Sequence, residues 1–312
     1  MTDATVPGPV PDLDPVAARR WREWPRASSP WLSEEVGRRM ASRLDWIRQR
    51  PAAWVDWNPV LGGVEAHRTL AARYPEAPAR LAGDEGMHTW RAAGLIALGP
   101  EGAGRPWWRR WLGGASASPR SAPPEPGQAD LLWANLSLHL YEHPMTVLQS
   151  WYQWLRTDGF VMFSCLGPDT LIELRRAYAS KGWPPPLQPM TDMHDWGDML
   201  VQVGFAEPVM DMERLTLTYP DAERLLADLR AGGRNLHRHR RSGLSGRGHA
   251  HAVRSLLEQS LPRNPDGQLC VTVEVIYGHA VKPAPRARLS AHTQVPLDDM
   301  RAMLRRPPDA GR

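Results

Sequence analysis

Between Ala129 and Asp169 the chain reads ADLLWANLSLHL, YEHPMTVLQSWYQWLRTDG and FVMFSCLGPD, and this order restricts the fold more than any other stretch. The first piece is a short apolar run closed by a polar residue, the pattern of a buried strand. In the second, Met145, Leu148, Trp151, Tyr152 and Leu155 recur at the spacing of one helical face. Asp158-Gly159 is a turn signal that closes that helix. The third piece, Phe160 to Leu166, is again continuously apolar. Strand, helix and strand in succession form a βαβ unit, whose two strands run parallel and are buried on both faces. Ligands of such sheets lie at the carboxyl ends of the strands. Asn135 and Gly167-Pro168-Asp169 therefore stand at the working edge. Asn135 has two readings here, a ligand contact or a cap on the strand end.

The 312 residues suffice for one large α/β domain, and a hydrophobic fraction of 42% supplies a core. A formal charge of +4 favours acidic partners over basic ones without pointing to nucleic acid. The only two cysteines, Cys165 and Cys270, lie inside apolar strand-like runs, which excludes a disulfide framework and implies that both stay reduced. No apolar run is long enough to span a membrane, and the opening MTDATVPGPVPDLDP lacks the regions of a secretory signal. A cytoplasmic protein is the expectation. Arg greatly outnumbers Lys and there are 15 Trp, so a single Arg or Trp carries little information about chemistry.

In order along the chain, residues 1–32 are rich in Pro and charge and read as disordered. Ser33 is a plausible N-cap for a helix reaching Arg48, with Glu34 and Glu35 in its first turn. Ala52 to Trp57 reads as a strand, and Val64 to Tyr74 as a helix. Residues 75–128 give little pattern: Ala93 to Leu98 is a candidate strand, and 113–128 a mobile Pro-rich loop. After the central unit, helices are expected at Asp169–Ser180 and Met193–Val203, the latter ended by Gly204. Val209 to Tyr219 alternates like a strand open on one face. Residues 220–262 form a helical and basic insertion, with helices at Asp221–Leu229 and Val253–Leu261. Gln268 to Val281 closes the sheet, and 283–312 is a charged tail. The folded domain thus spans 33–282.

The loop after the first strand is Asp56-Trp57-Asn58-Pro59-Val60-Leu61-Gly62-Gly63. A strand ending in an acid, then a turn and a helix, is where α/β proteins hold nucleosides and phosphates. Glycines serve such a loop because the chain turns tightly and the ligand approaches the backbone. Only the far end is glycine here. Asn58 tolerates left-handed geometry, whereas the β-branched Val60 does not. An ordinary β-to-α connection and a cofactor loop both remain open on these residues.

With both units laid out, the chain resembles the S-adenosylmethionine-dependent class I methyltransferases, and among them the malonyl-carrier-protein O-methyltransferases of biotin synthesis. The resemblance runs from about Glu34 to Pro283 and is carried by ADLLWANLSLHL, FSCLGPDTLIELRRAY, DMHDWGDMLVQVGFAEPVMDMERLTLTY and VEVIYGHAVKP. It implies a Rossmann-like α/β fold with a seven-stranded sheet, mostly parallel with one antiparallel strand, and helices on both faces. It implies S-adenosyl-L-methionine as cofactor, held at Asp56, Asn58, Gly62, Gly63 and Asn135. The family's three alternating glycines fall on Asn58, Val60 and Gly62, so two of the three are replaced. The acid that ends the second strand and binds the ribose would be Asp84 or Glu85. The implied reaction is methylation of the free carboxylate of a malonyl group on acyl carrier protein. Its alternatives are a non-catalytic carrier-binding relative and a methyltransferase for another small molecule.

Such a carboxylate is already ionised at neutral pH, so no general base is required and no catalytic residue is assigned. A cation that holds it is required. Arg214, Arg234, Arg238, Arg240 and Arg241 are the candidates, with a surface position the competing reading for Arg214. His139 and His194 are either pocket liners or structural histidines. The segment Gly232 to His251 contains no acid. Its histidines lack metal-ligand spacing, so no metal is expected, and it lacks the interleaved aromatics that stack on nucleic acid. A solvated loop is one reading; a docking face for the acidic carrier is the other.

Overall fold

The computed structural model describes residues 12–96, 124–243 and 246–285. Its centre is a six-stranded sheet in the order β2-β1-β3-β4-β6-β5. The strands are β1 (Trp54–Trp57), β2 (Ala79–Ala82), β3 (Ala129–Ala134), β4 (Leu155–Leu166), β5 (Ala206–Tyr219) and β6 (Leu269–Val281). The first four are parallel, and β6 runs antiparallel to both its neighbours. The expected mostly parallel sheet with one antiparallel strand is present, with six strands among the described residues rather than seven. Of the candidate strand at 93–98, residues 93–96 form turns and bends, and 97–98 lie outside the described residues.

The central strands read as continuous apolar runs because both faces are covered. Leu131, Trp133, Phe160 and Met162 pack with Val36, Met40 and Leu70 on one side. Leu132, Ala134, Val161 and Phe163 pack with Leu148, Trp151, Trp196 and Leu200 on the other. This is the period of two that a pleated strand imposes. One helical layer is α2 (Trp31–Arg43) with α4 (Val64–Arg73); the other is α6 (Pro144–Trp154) with α8 (Met193–Val203). A further cluster joins α7 (Ile172–Ser180), α9 (Ala222–Gly232) and α10 (Arg247–Ser260) to the ends of β5 and β6. Among the described residues no helix is long and apolar enough to cross a membrane.

Several expectations change. Residues 15–22 are not disordered: they form α1 (Pro15–Arg22), N-capped by Asp14, whose carboxylate accepts from the amides of Val16 and Ala17. Ala18 and Trp21 of α1 are buried against Leu61, Leu140 and Leu236. Ser33 is not an N-cap, because α2 starts at Trp31 after Pro30 and encloses Ser33 as a buried residue. Leu155 to Gly159 belongs to β4, with Asp158 at φ 64° marking a shift of register against β3 rather than a turn between elements. α10 begins at Arg247, so the basic segment contains a helix start. Two short helices were not expected, α3 (Pro59–Gly62) and α5 (Met87–Ala92). Residues 1–11, 113–123 and 286–312 of the expected tails and loop lie outside the described residues.

Both cysteines are free. Cys165 on β4 is fully buried, and burial raises its thiol pKa far above the usual value. β4 and β6 are neighbours, with Cys165 opposite Ile276 rather than Cys270.

Gly278 on β6 lies opposite Phe163. A Cβ there would stand 2.3 Å from a Phe163 ring carbon. Gly278→Ala is therefore expected to destabilise by about 1–3 kcal/mol through overpacking. Chemical denaturation of the folded variant measures this, and an unchanged midpoint would contradict the close approach.

Candidate functional site

The expected cofactor residues do converge. Asp56 is the next-to-last residue of β1, Asn58 to Gly63 form the following loop, and Asn135 follows β3, the strand beside β1. All of them are buried: Asp56 is 2% exposed, and Asn58 and Asn135 are fully enclosed. Their polar atoms are engaged within the protein. Asp56 pairs with Nδ1 of His67 at 2.7 Å, and burial raises its pKa against that partner's opposing effect. Asn135 donates to the carbonyls of Ser33, at 2.7 Å, and Gly62, and accepts from the Ser164 hydroxyl at 2.6 Å. It thus ties α2, the loop and β4 together.

Asn58 adopts the left-handed conformation, at φ 55°. Its side chain accepts from the Asp84 amide at 2.8 Å and donates to the Tyr141 hydroxyl at 2.9 Å. Pro59 to Gly62 then wind into the single turn of α3. Glu85 accepts from the backbone amides of Val60, at 3.0 Å, and Leu61, at 2.5 Å, and from the Trp90 indole at 3.0 Å. Of the two acids considered for the second strand's end, Glu85 thus binds the loop, and Asp84 accepts from Tyr141 at 2.7 Å and from Arg22 at 2.5 Å. Tyr141 and Arg22 were not anticipated; they lie far from the loop in sequence and no local pattern marks them.

Burial pushes Glu85 up to about 7, against the lowering effect of the amides and of Arg26. A folded-state value above the unfolded one means that the native state holds the proton more tightly. The stabilisation is complete below the unfolded value and is lost as pH rises through about 7. Raising the pH from 4.5 to 7 is expected to cost roughly 3 kcal/mol at this residue, and Glu85→Gln should remove that slope. Urea midpoints across this range for both proteins measure the difference; parallel profiles would exclude a buried, protonatable Glu85.

S-adenosylmethionine does not fit this edge as it stands. The implied cofactor residues are buried with their polar side chains bonded within the protein, and none of them lines the neighbouring cavity. That cavity, of about 300 Å³, lies beside them at the carboxyl ends of β3 and β4. Its walls are mainly apolar, with Leu136, Leu166, Leu174, Leu217 and Leu229 among them, and Leu61 of the loop reaches it. Its polar lining includes Tyr219 and Asp228 together with the exposed Arg230 and Arg234. Asp228 accepts from the Tyr219 hydroxyl at 2.6 Å and the Trp31 indole at 2.7 Å. His139 also lines the cavity; burial holds its pKa down at about 3, so the ring is neutral.

The expected arginines are dispersed. Arg234 lines the cavity, with its guanidinium 5.0 Å from the centre of the Trp21 ring. Arg230, not anticipated, lines it too. Arg214 pairs with Asp169 at 2.5 Å on the exposed face of β5, away from the cavity lining. Arg240 pairs with Asp14 at 2.7 Å, and Arg238 donates to the Leu13 carbonyl at 3.4 Å. Arg241 is exposed and does not line the cavity. His194 is an exposed residue of α8 paired with Asp192.

No family model matches the chain. Curated relatives do. It is 39% identical over 265 residues to a malonyl-[acyl-carrier protein] O-methyltransferase of Gallionella capsiferriformans, covering 83% of this chain and 87% of that protein. The enzyme of the same name from Laribacter hongkongensis is 38% identical over 280 residues, covering 89% and 90%. That of Nitrosospira multiformis is 36% identical over 268 residues, covering 83% and 85%.

Proposed function

Because the chain belongs to the malonyl-[acyl-carrier protein] O-methyltransferases, we propose that its substrate is a malonyl group carried as a thioester on acyl carrier protein. The family reaction is methylation of the free malonyl carboxylate, with S-adenosyl-L-methionine as methyl donor and biotin synthesis as the destination. The cytoplasm, where carrier-bound acyl groups are handled, is the proposed location.

The observation that supports the substrate half is the cavity at the carboxyl ends of β3 and β4, apolar within and rimmed by Arg230 and Arg234. An apolar interior suits an acyl thioester and excludes water. A guanidinium at the rim suits a carboxylate, which it holds without taking its negative charge. Burial keeps His139 neutral, so this lining residue adds no charge to the cavity. No proton has to be removed from an ionised carboxylate, so the work of such a site is alignment.

A second reading is favoured by the closed loop at Asn58–Gly63: a relative that binds the loaded carrier without transferring methyl. Incubating the protein with malonyl-carrier and S-adenosylmethionine, with mass spectrometry of the carrier, separates the two. Gain of one methyl group on the acyl chain supports the family reaction. Stable association without that gain supports the second reading. Failure to associate with the malonyl-carrier sinks the substrate assignment.

A further inference from the structure

The loop between β1 and α4 answers one question completely: where its backbone donors go. The Asn58 amide donates to the Ala82 carbonyl at 2.8 Å, and Pro59 has none to give. Those of Val60 and Leu61 donate to Glu85. Those of Gly62 and Gly63 donate to the carbonyls of Asn58 and Pro59. At the start of α4, Val64 donates to the Ser29 hydroxyl at 2.8 Å, and Glu65 and Ala66 donate to the Glu34 carboxylate at 3.1 and 3.4 Å. Every backbone N–H from Asn58 to Ala66 therefore has a protein partner. A loop and helix start that cradle a ligand work by leaving such donors to it.

Space is closed as well as polarity. Gly83, at the end of β2 and at φ +116°, approaches so closely that a Cβ on it would lie 2.1 Å from the Asn58 side-chain oxygen. The loop and the β2 end are thus in contact. Val60 is fully buried with Trp90, Val64 and Ala93. Leu61 is 3% exposed beneath α1. Arg22 of α1 holds the outer side: it donates to Asp84 and to the Leu140 carbonyl, at 2.6 Å, and lies 4.0 Å from the centre of the Tyr141 ring. Tyr141 in turn joins Asp84 to Asn58 and accepts from the Trp57 indole at 3.0 Å.

We propose that the chain carries its own occupant in the cofactor cradle: Glu85 together with the side chains of Asn58, Val60 and Leu61 takes the place of S-adenosylmethionine, which must displace this network to bind. The proposal rests on the family reading of the site. It is separate from the substrate half, because the cavity beyond Leu61 stays open while the loop is shut. The residues responsible are Asn58 and Val60, which stand where the resemblance places glycines, their neighbour Leu61, and an acid from the β2 end turned onto the loop.

The test is calorimetric titration of S-adenosylmethionine and S-adenosylhomocysteine into the native protein and into Asn58→Gly/Val60→Gly. A second variant, Arg22→Ala, loosens the outer side without touching the loop. Circular dichroism and thermal melts establish that each variant is folded. The expected result is weak binding to the native protein, far from saturation at concentrations that saturate the double variant. At least roughly tenfold tighter binding is expected in that variant, and an intermediate gain in Arg22→Ala. Native binding as tight as in the variants would overturn the proposal. So would the absence of binding in all three folded proteins, because Asn58 and Val60, the residues at the replaced glycine positions, would then not be what excludes the cofactor. Association of the malonyl-carrier, measured without cofactor, is read separately. Its loss counts against the substrate assignment and leaves the cradle result standing.

Discussion

Asn135→Ala is expected to lower the stability of the ligand-free protein by about 3–5 kcal/mol. The amide is fully enclosed and makes three contacts to three different elements, Ser33 of α2, Gly62 of the loop and Ser164 of β4. Truncation removes all three and strands the Gly62 carbonyl in a buried site, and an unpaired buried acceptor costs more than the bond it lost. Asn135→Asp should be no milder, because a carboxylate would face two carbonyl oxygens. A side chain kept only for a ligand would behave differently: its removal would leave the empty protein nearly as stable as before. Urea unfolding without cofactor distinguishes the two, and a loss below about 1 kcal/mol would remove the structural role.

The elements that could be read from the sequence are those whose burial writes a pattern into contiguous residues. β3 and β4 are enclosed between two layers and so became unbroken apolar runs. α8 carries a one-faced stripe and ends at Gly204, whose φ of 111° is what that glycine provides. β5 is an edge strand with alternating exposure, and its sequence alternates accordingly. β2 escaped because it is four residues long with a single buried position, so no periodicity can develop. α1 did have a signal, Asp14-Pro15 as N-cap and first helical residue, but the surrounding proline and charge obscured it. The site divides the same way. Convergence of Asp56, Asn58, Gly62, Gly63 and Asn135 follows from strand order. Closure does not, because it depends on Glu85 meeting Val60 from 25 residues away and on Arg22 meeting Asp84 from 62 residues away. Pairings of that range are set by tertiary packing and leave no local trace.

Reversing charge at the cavity rim, Arg230→Glu with Arg234→Glu, is expected to weaken association with the malonyl-carrier about 100-fold at low salt. Both arginines are exposed and both line the cavity. The double reversal changes the local charge from two positive to two negative, which repels both the malonyl carboxylate and an acidic carrier. Most of the loss should appear in the association rate and shrink as salt is raised, since exposed charges are screened within about 10 Å at 0.1 M ionic strength. The companion reversal at Arg238, Arg240 and Arg241 should read out elsewhere. Arg240 already pairs with Asp14, and the Arg238 amide donates to the Asp12 carbonyl at 2.7 Å. Glutamate at 240 would face the Asp14 carboxylate and loosen α1 from the 236–240 segment, so lowered stability should accompany any change in binding. Surface plasmon resonance on the immobilised carrier at two salt concentrations, alongside thermal melts, resolves the pair. Unchanged carrier affinity in the folded 230/234 variant would remove the cavity rim as the carboxylate's entrance.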